Sequence, residues 1–133
     1  MAIFEAKLME LDKPNINGRV YTTKCIKEAL EDPCLKEQLA NKCCFVYREG
    51  GVGSYMGRDC TKICGAVENL TIRDGALYAT INNLEEYDLR QKIDKQCSFS
   101  IVGYGDLKYD PNTDTNIVEK YTMDAVCLVP NKE

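Results

Sequence analysis

The chain has 133 residues, 44% of them hydrophobic, and a net charge of −4, with eight cysteines and no histidine. That length supports one core and one domain, read here as residues 1–133. The acidic balance gives no electrostatic reason to expect nucleic acid or an anionic membrane as partner, and no apolar run reaches the ~18–20 residues of a membrane helix.

From the N-terminus, residues 2–10 alternate as a strand with Ile3, Phe4, Ala6 and Leu8 as apolar members. The first five residues lack a basic and apolar leader, so a cytoplasmic protein is expected. Residues 12–21, Asp-Lys-Pro-Asn-Ile-Asn-Gly-Arg-Val-Tyr, carry turn chemistry, because Asn and Gly tolerate positive φ and Asx side chains bond nearby amides. Thr22 or Thr23 can cap a helix running to about Glu31 with Ile26, Ala29 and Leu30 inward. Pro33 opens a second short helix over residues 34–41 that buries Leu35 and Leu39. Residues 43–48 read as a short buried strand, and residues 49–57, with four glycines, as a loop.

Residues 62–69 and 76–82 read as strands joined by Arg73-Asp74-Gly75, a hairpin signal. A third helix is expected over residues 84–95, from the loose helical spacing of its apolar residues and its acidic start. Next comes Cys97-Ser-Phe-Ser-Ile-Val-Gly-Tyr-Gly105. As a strand it sends Ser98, Ser100 and Val102 to one face and Cys97, Phe99 and Ile101 to the other. A turn follows at residues 109–114, then a last strand region over residues 117–129, broken around Met123-Asp124. The sum is an α+β domain of six or seven mainly antiparallel strands, forming a closed or nearly closed β-barrel with two or three helices outside.

The eight cysteines offer one adjacent pair, Cys43 and Cys44, and one Cys-x3-Cys, Cys60 and Cys64. Zinc sites use Cys-x2-Cys pairs, and no histidine is present to complete a ligand set. Free thiols are therefore expected, with no metal and no cofactor. Ser100, set among apolar residues before Gly-x-Gly, stands where a nucleophile could. A serine hydroxyl needs an adjacent base, and the usual one is absent from the composition.

Three stretches, in order, resemble one family, the tailed-phage prohead (capsid maturation) proteases. Asn15-x-Asn17-Gly18-Arg19-x-Tyr21 resembles their first motif, Asn-x-Asn-Gly-Arg-x-Tyr-Pro. Phe99-Ser100-Ile-Val-Gly103-Tyr-Gly105 is similar to their Gly-Ile-Ser-x-Arg-Gly-x-Gly nucleophile strand. Tyr121-Thr-Met-Asp124-Ala-Val126-Cys-Leu-Val-Pro130 is similar to their closing segment. The resemblance covers nearly all of the chain and implies the herpesvirus-assemblin type of fold, a small β-barrel with surrounding helices.

The departures bear on function. The family's base histidine comes after the first helices, and the matching residues here are Val46-Tyr47-Arg48-Glu49-Gly50-Gly51. Its oxyanion-supporting arginine falls at Val102, and its proline after the first motif at Thr22. Each of the two catalytic losses costs on the order of 10²–10⁴ in rate. The resemblance thus implies a catalytically inactive relative, with Ser100 a vestigial nucleophile position and Asp124 a vestigial acid. Asn15, Asn17, Gly18, Arg19, Tyr21, Gly103 and Gly105 are expected to be structural, with Arg19 paired to an acidic group or to backbone carbonyls and Tyr21 packed inward. The role so implied is protein binding as a minor capsid, decoration or assembly-associated virion protein. Its partners would be capsid or scaffold proteins, or further copies of itself, in the host cytoplasm during infection or in the virion. Two alternatives stand beside it. One is a phage inhibitor of host defence that binds a host protein or small nucleotide. The other is an active capsid-maturation serine protease using a Ser–Lys pair, with Lys62, Lys92, Lys95 or Lys120 beside Ser100.

Overall fold

The computed structural model describes residues 2–15, 17–48, 57–83 and 97–130, and the side chains of Ala2, Cys97, Val129 and Pro130 are not part of that description. The elements run β1 (Ala2–Glu10), β2 (Arg19–Tyr21), α1 (Thr23–Leu30), α2 (Pro33–Ala40), β3 (Phe45–Tyr47), a 3-10 turn (Cys60–Lys62), β4 (Ile63–Arg73), β5 (Ala76–Asn83), β6 (Cys97–Asp110) and β7 (Thr115–Pro130). The helix expected over residues 84–95 and all but the last residue of the glycine loop at 49–57 lie outside the described residues.

All seven strands belong to one sheet, ordered β1-β5-β4-β3-β7-β2, with β6 also on β7. Most pairings are antiparallel, but β2 and β3 both lie parallel to β7, at Asn116–Val118 and Val126–Cys127. The sheet is therefore mixed. Nor is it closed into a barrel: among the described residues β1 bonds only to β5 and β6 only to β7, so both leave an open edge. The two edges approach through side chains, with the Phe4 and Phe99 rings 6.4 Å apart.

Local chemistry accounts for the boundaries. Thr22 caps α1, its hydroxyl accepting from the Cys25 amide at 3.1 Å, and Cys25, Ile26 and Ala29 are buried. Asp32 caps α2 by accepting from the Cys34 amide at 2.9 Å; Pro33 fills the first turn and Leu35 is the buried anchor. Asp74 and Gly75, both at positive φ (52° and 73°), form the two-residue turn that sets the β4–β5 register from Arg73↔Ala76 outward.

β7 organises the sheet. Its sixteen residues pair with β6 on one side along their whole length and with β2 and β3 on the other. The interruption expected at Met123-Asp124 is a bulge: the register steps from Val102↔Ala125 to Gly103↔Met123, leaving Asp124 unpaired within a continuous strand. One sheet face carries the main core, including Leu77, Ile81, Val67, Val126, Leu128 and Phe99. Around β3, β6 and β7 the other face carries a smaller cluster of Tyr47, Val102 and Ala125, against which Phe45, Ile63 and Cys127 pack.

Candidate functional site

Ser100 lies on β6 directly opposite Cys127 of β7, and Cys127 lies directly beside Tyr47 of β3. Residues opposite one another in adjacent strands share a face, so Tyr47, Cys127 and Ser100 form a row across three strands on the smaller-cluster side. Tyr47 is buried, while Cys127 and Ser100 are half-buried. The Ser100 hydroxyl makes one long hydrogen bond among the described residues, donated to the Ile101 carbonyl at 3.4 Å.

Asp124 is aimed by its bulge. Its carboxylate accepts a hydrogen bond from Arg58 Nη2 at 2.6 Å, with the two side chains 33% and 22% exposed. The Arg58 guanidinium also lies 5.8 Å from the centre of the Tyr47 ring, within cation–π reach. Cys44 stands close by, its thiol 4.0 Å from the Asp124 carbonyl oxygen.

The titratable neighbours of this row are held in their protonated forms. Burial raises the Tyr47 phenol above its ordinary value, against the opposing charge of Arg58. Burial likewise raises the Cys127 thiol, again opposed by Arg58. The Cys44 thiol is pushed up to about 12, by burial first and then by the nearby Asp124 charge. None of these three groups is a base at neutral pH.

A cleft of about 1140 Å³ runs between the end of β1, the segment before β2 and the open edge of β6, and Ser98 and Ser100 are among the residues that line it. Asn15, Asn17, Arg19, Tyr21, Gly103 and Gly105 all line it. Asn15 organises its rim, as its side-chain oxygen accepts from the amides of Asn17 (2.9 Å) and Arg19 (3.0 Å). Its backbone closes the same turn through Asn15 N–Arg19 O and Gly18 N–Asn15 O. Gly18, at φ +72°, allows the reversal, and its carbonyl accepts from the Asn116 amide of β7 at 2.8 Å. Tyr21, half-buried, packs edge-on to Tyr121 with ring centres 5.5 Å apart. Arg19 differs from expectation. Its side chain is exposed, and among the described residues no hydrogen bond or ion pair holds it. The turn is held by Asn15 and the main chain instead, which leaves the guanidinium at the cleft.

Replacing Asn15 by Ala removes the one side-chain oxygen that accepts both of those amide bonds. We expect a loss of about 1 kcal/mol, as for exposed turn hydrogen bonds. The denaturant midpoint should fall with an unchanged slope; an unaltered midpoint would show that the backbone bonds suffice.

No family model matches the chain, and no curated protein matches it. Among solved structures it is similar to that of the bacteriophage T4 capsid assembly protease, gp21, with a TM-score of 0.74 over 96% of this chain and 80% of that one, at 19% identity. The chain has a prohead-protease-like fold.

In this prohead-protease-like fold the segments singled out by sequence meet. The end of β3 (in the stretch matching the histidine region), the Ser100 strand and the Asp124 segment come together on one face. Tyr47 occupies the β3 side of that meeting point. Val102 is buried within the small apolar cluster. Of the lysines considered as bases, Lys120 pairs with Asp106, seven residues along β7 from Cys127 and so roughly 23 Å from the Ser100 row. Lys62 precedes Ile63, which pairs with Tyr47 three strand spacings from Ser100, about 14 Å. Lys92, Lys95 and Glu49 lie outside the described residues. Arg58 is the residue that sequence reasoning missed; a single arginine after a glycine-rich loop carries no pattern.

Seven cysteines, 25, 34, 43, 44, 60, 64 and 127, are free thiols. Among the described residues no group of three or more His, Cys, Asp or Glu side chains could hold a metal ion, and no helix is long and apolar enough to cross a membrane.

Proposed function

We propose that this chain is a catalytically inactive prohead-protease-like phage protein that works by binding proteins of the capsid or its scaffold. The observation that carries the reading is the state of the two side chains the resemblance casts as catalytic. Asp124 is engaged by Arg58 at 2.6 Å, and Ser100 faces Cys127 and Tyr47, whose protons are held more tightly than usual. A hydroxyl with no base beside it among the described residues is a poor nucleophile, and an arginine cannot be that base. The structural similarity to a capsid assembly protease supports capsid or scaffold proteins as the partner class. The cleft beside β6 supplies a binding surface with an exposed arginine and is large enough for an extended segment of partner chain. On this reading the protein acts in the infected cell's cytoplasm and at the assembling virion.

A fluorophosphonate probe tests the chemistry. Ser100 should remain unlabelled, and Ser100→Ala should leave binding to capsid or scaffold protein unchanged. Labelling that Ser100→Ala abolishes, with cleavage of scaffold protein by the unaltered chain, would make the protein a working protease and overturn the proposal.

A further inference from the structure

We propose that this protein forms a two-fold symmetric dimer by antiparallel pairing of the outer half of β6 with the same strand of a second copy. β6 hydrogen-bonds to β7 on one side, and among the described residues its other edge has no strand partner. Such an edge presents a row of unpaired amides and carbonyls that templates another strand. Exposed apolar side chains concentrate on this strand: Tyr104 is 64% exposed, Leu107 50% and Tyr109 55%, three of the four large hydrophobic residues exposed on the described surface. Beyond Ser100 the strand continues through Asp110, well past the point where Phe4 of β1 meets Phe99.

The sequence of the edge selects a second copy as occupant, and selects one register. With Leu107 on the two-fold axis, Asp106 lies opposite Lys108 of the partner subunit, and Lys108 opposite Asp106 of the partner subunit. The same register sets Gly105 opposite Tyr109 of the partner subunit, where the absent side chain leaves room for the ring. Sliding the axis by one residue in either direction destroys the match. Centred on Asp106 it opposes two aspartates, and centred on Lys108 it opposes two lysines, with Asp106 then facing Asp110. Like charges directly opposite in a sheet are unfavourable. Both charged groups are available for the contact. Lys108 is 73% exposed and touches Glu119 only at 4.0 Å, while Asp106, exposed and opposite Lys120 on β7, forms no ion pair among the described residues. Two-fold symmetry satisfies both charges at once, which is how an isologous interface is built.

Seven residues per strand make a small contact, so the dimer is weak and concentration-dependent. Sedimentation equilibrium across a wide concentration range should show monomer and dimer in exchange. Asp106→Lys, or Lys108→Asp, turns two attractive pairs into two repulsive ones and should weaken the dimer about tenfold. The double reversal, Asp106→Lys with Lys108→Asp, should restore it. Thermal unfolding of each variant checks that the monomer is intact. Amide exchange should slow at Leu107 and Tyr109 as concentration rises. A monomer at every concentration, a dimer indifferent to both single reversals, or exchange at these amides that ignores concentration would each overturn the proposal.

Discussion

Gly103→Ala should cost the fold about 3 kcal/mol, far more than a glycine-to-alanine change in an ordinary strand. A Cβ built at Gly103 would lie 2.0 Å from the Thr122 carbonyl oxygen and 2.8 Å from the Tyr121 ring. Backbone oxygen cannot swing aside as a side-chain tip can, so β6 or β7 must move. The movement falls at the Asp124 bulge, where the register between these strands is set. Gly18 provides the internal control. Its φ of +72° strains an alanine, but nothing lies within 4 Å of a Cβ there, so Gly18→Ala should cost only about 1 kcal/mol. Urea unfolding of the two variants measures the difference, provided the slopes stay equal. Equal losses would mean that conformational strain alone, and not close approach of β6 to β7, accounts for both glycines. Gly105 has the same constraint against the Lys120 carbonyl, also at 2.0 Å, so the strand beyond the site is built on two close approaches.

What could be read in advance follows the range of the interaction. Helix α1 was legible because its Thr22 cap and its buried residues Ile26 and Ala29 lie within one short segment. The Asp74-Gly75 turn was legible for the same reason. Strand β2 was not: three residues show no periodicity, and Arg19–Tyr21 becomes a strand only because β7, about a hundred residues later in the chain, lies alongside it. The parallel pairing of β3 with β7 was hidden for the same reason, and with it the fact that Tyr47 neighbours Cys127. A break was expected around Met123-Asp124, and the strand instead runs on through a bulge at Asp124. Whether it broke the strand or bulged from it depended on the register with β6. The closed barrel failed to appear because closure needs β1 and β6 to share hydrogen bonds, and alternation along each strand is silent about that. The resemblance cast Arg19 as paired to an acidic group or to backbone carbonyls; among the described residues its side chain has neither, and Asn15 bonds the turn through backbone amides. The row around Ser100 was half legible. Ser100 stood out by type and neighbours and Asp124 through the family resemblance, but Arg58, which decides what Asp124 can do, did not.

Arg58→Ala should lower stability by about 2 kcal/mol and leave Ser100 no more reactive than before. The magnitude lies between two limits. Exposed ion pairs contribute about 0–1 kcal/mol, and breaking a fully buried pair costs about 3–5. The Arg58 and Asp124 side chains, 22% and 33% exposed, sit between them. Part of the loss is the Tyr47 ring, over which the guanidinium lies, so Arg58→Lys should recover less than half of the stability: ammonium lacks the planar fork and stacks poorly. The companion variant Arg58→Met with Asp124→Leu removes both charges, and should be more stable than Arg58→Ala, since no carboxylate is then left half-buried without its partner. Denaturant midpoints for the wild-type chain, Arg58→Met, Asp124→Leu and the double variant close that cycle. Additive losses would show that the two side chains do not interact in solution. The chemical half of the expectation is separate. Freeing Asp124 from Arg58 returns a carboxylate to the face, but the group beside Ser100 is still the Cys127 thiol, raised by burial, and the strand register holds Asp124 about three residues away along β7. A fluorophosphonate probe should therefore ignore Ser100 in Arg58→Ala as well. If it labels Ser100 there and not in the wild-type chain, Arg58 is what holds a competent site silent, and inactivity is a matter of one ion pair rather than of a missing base.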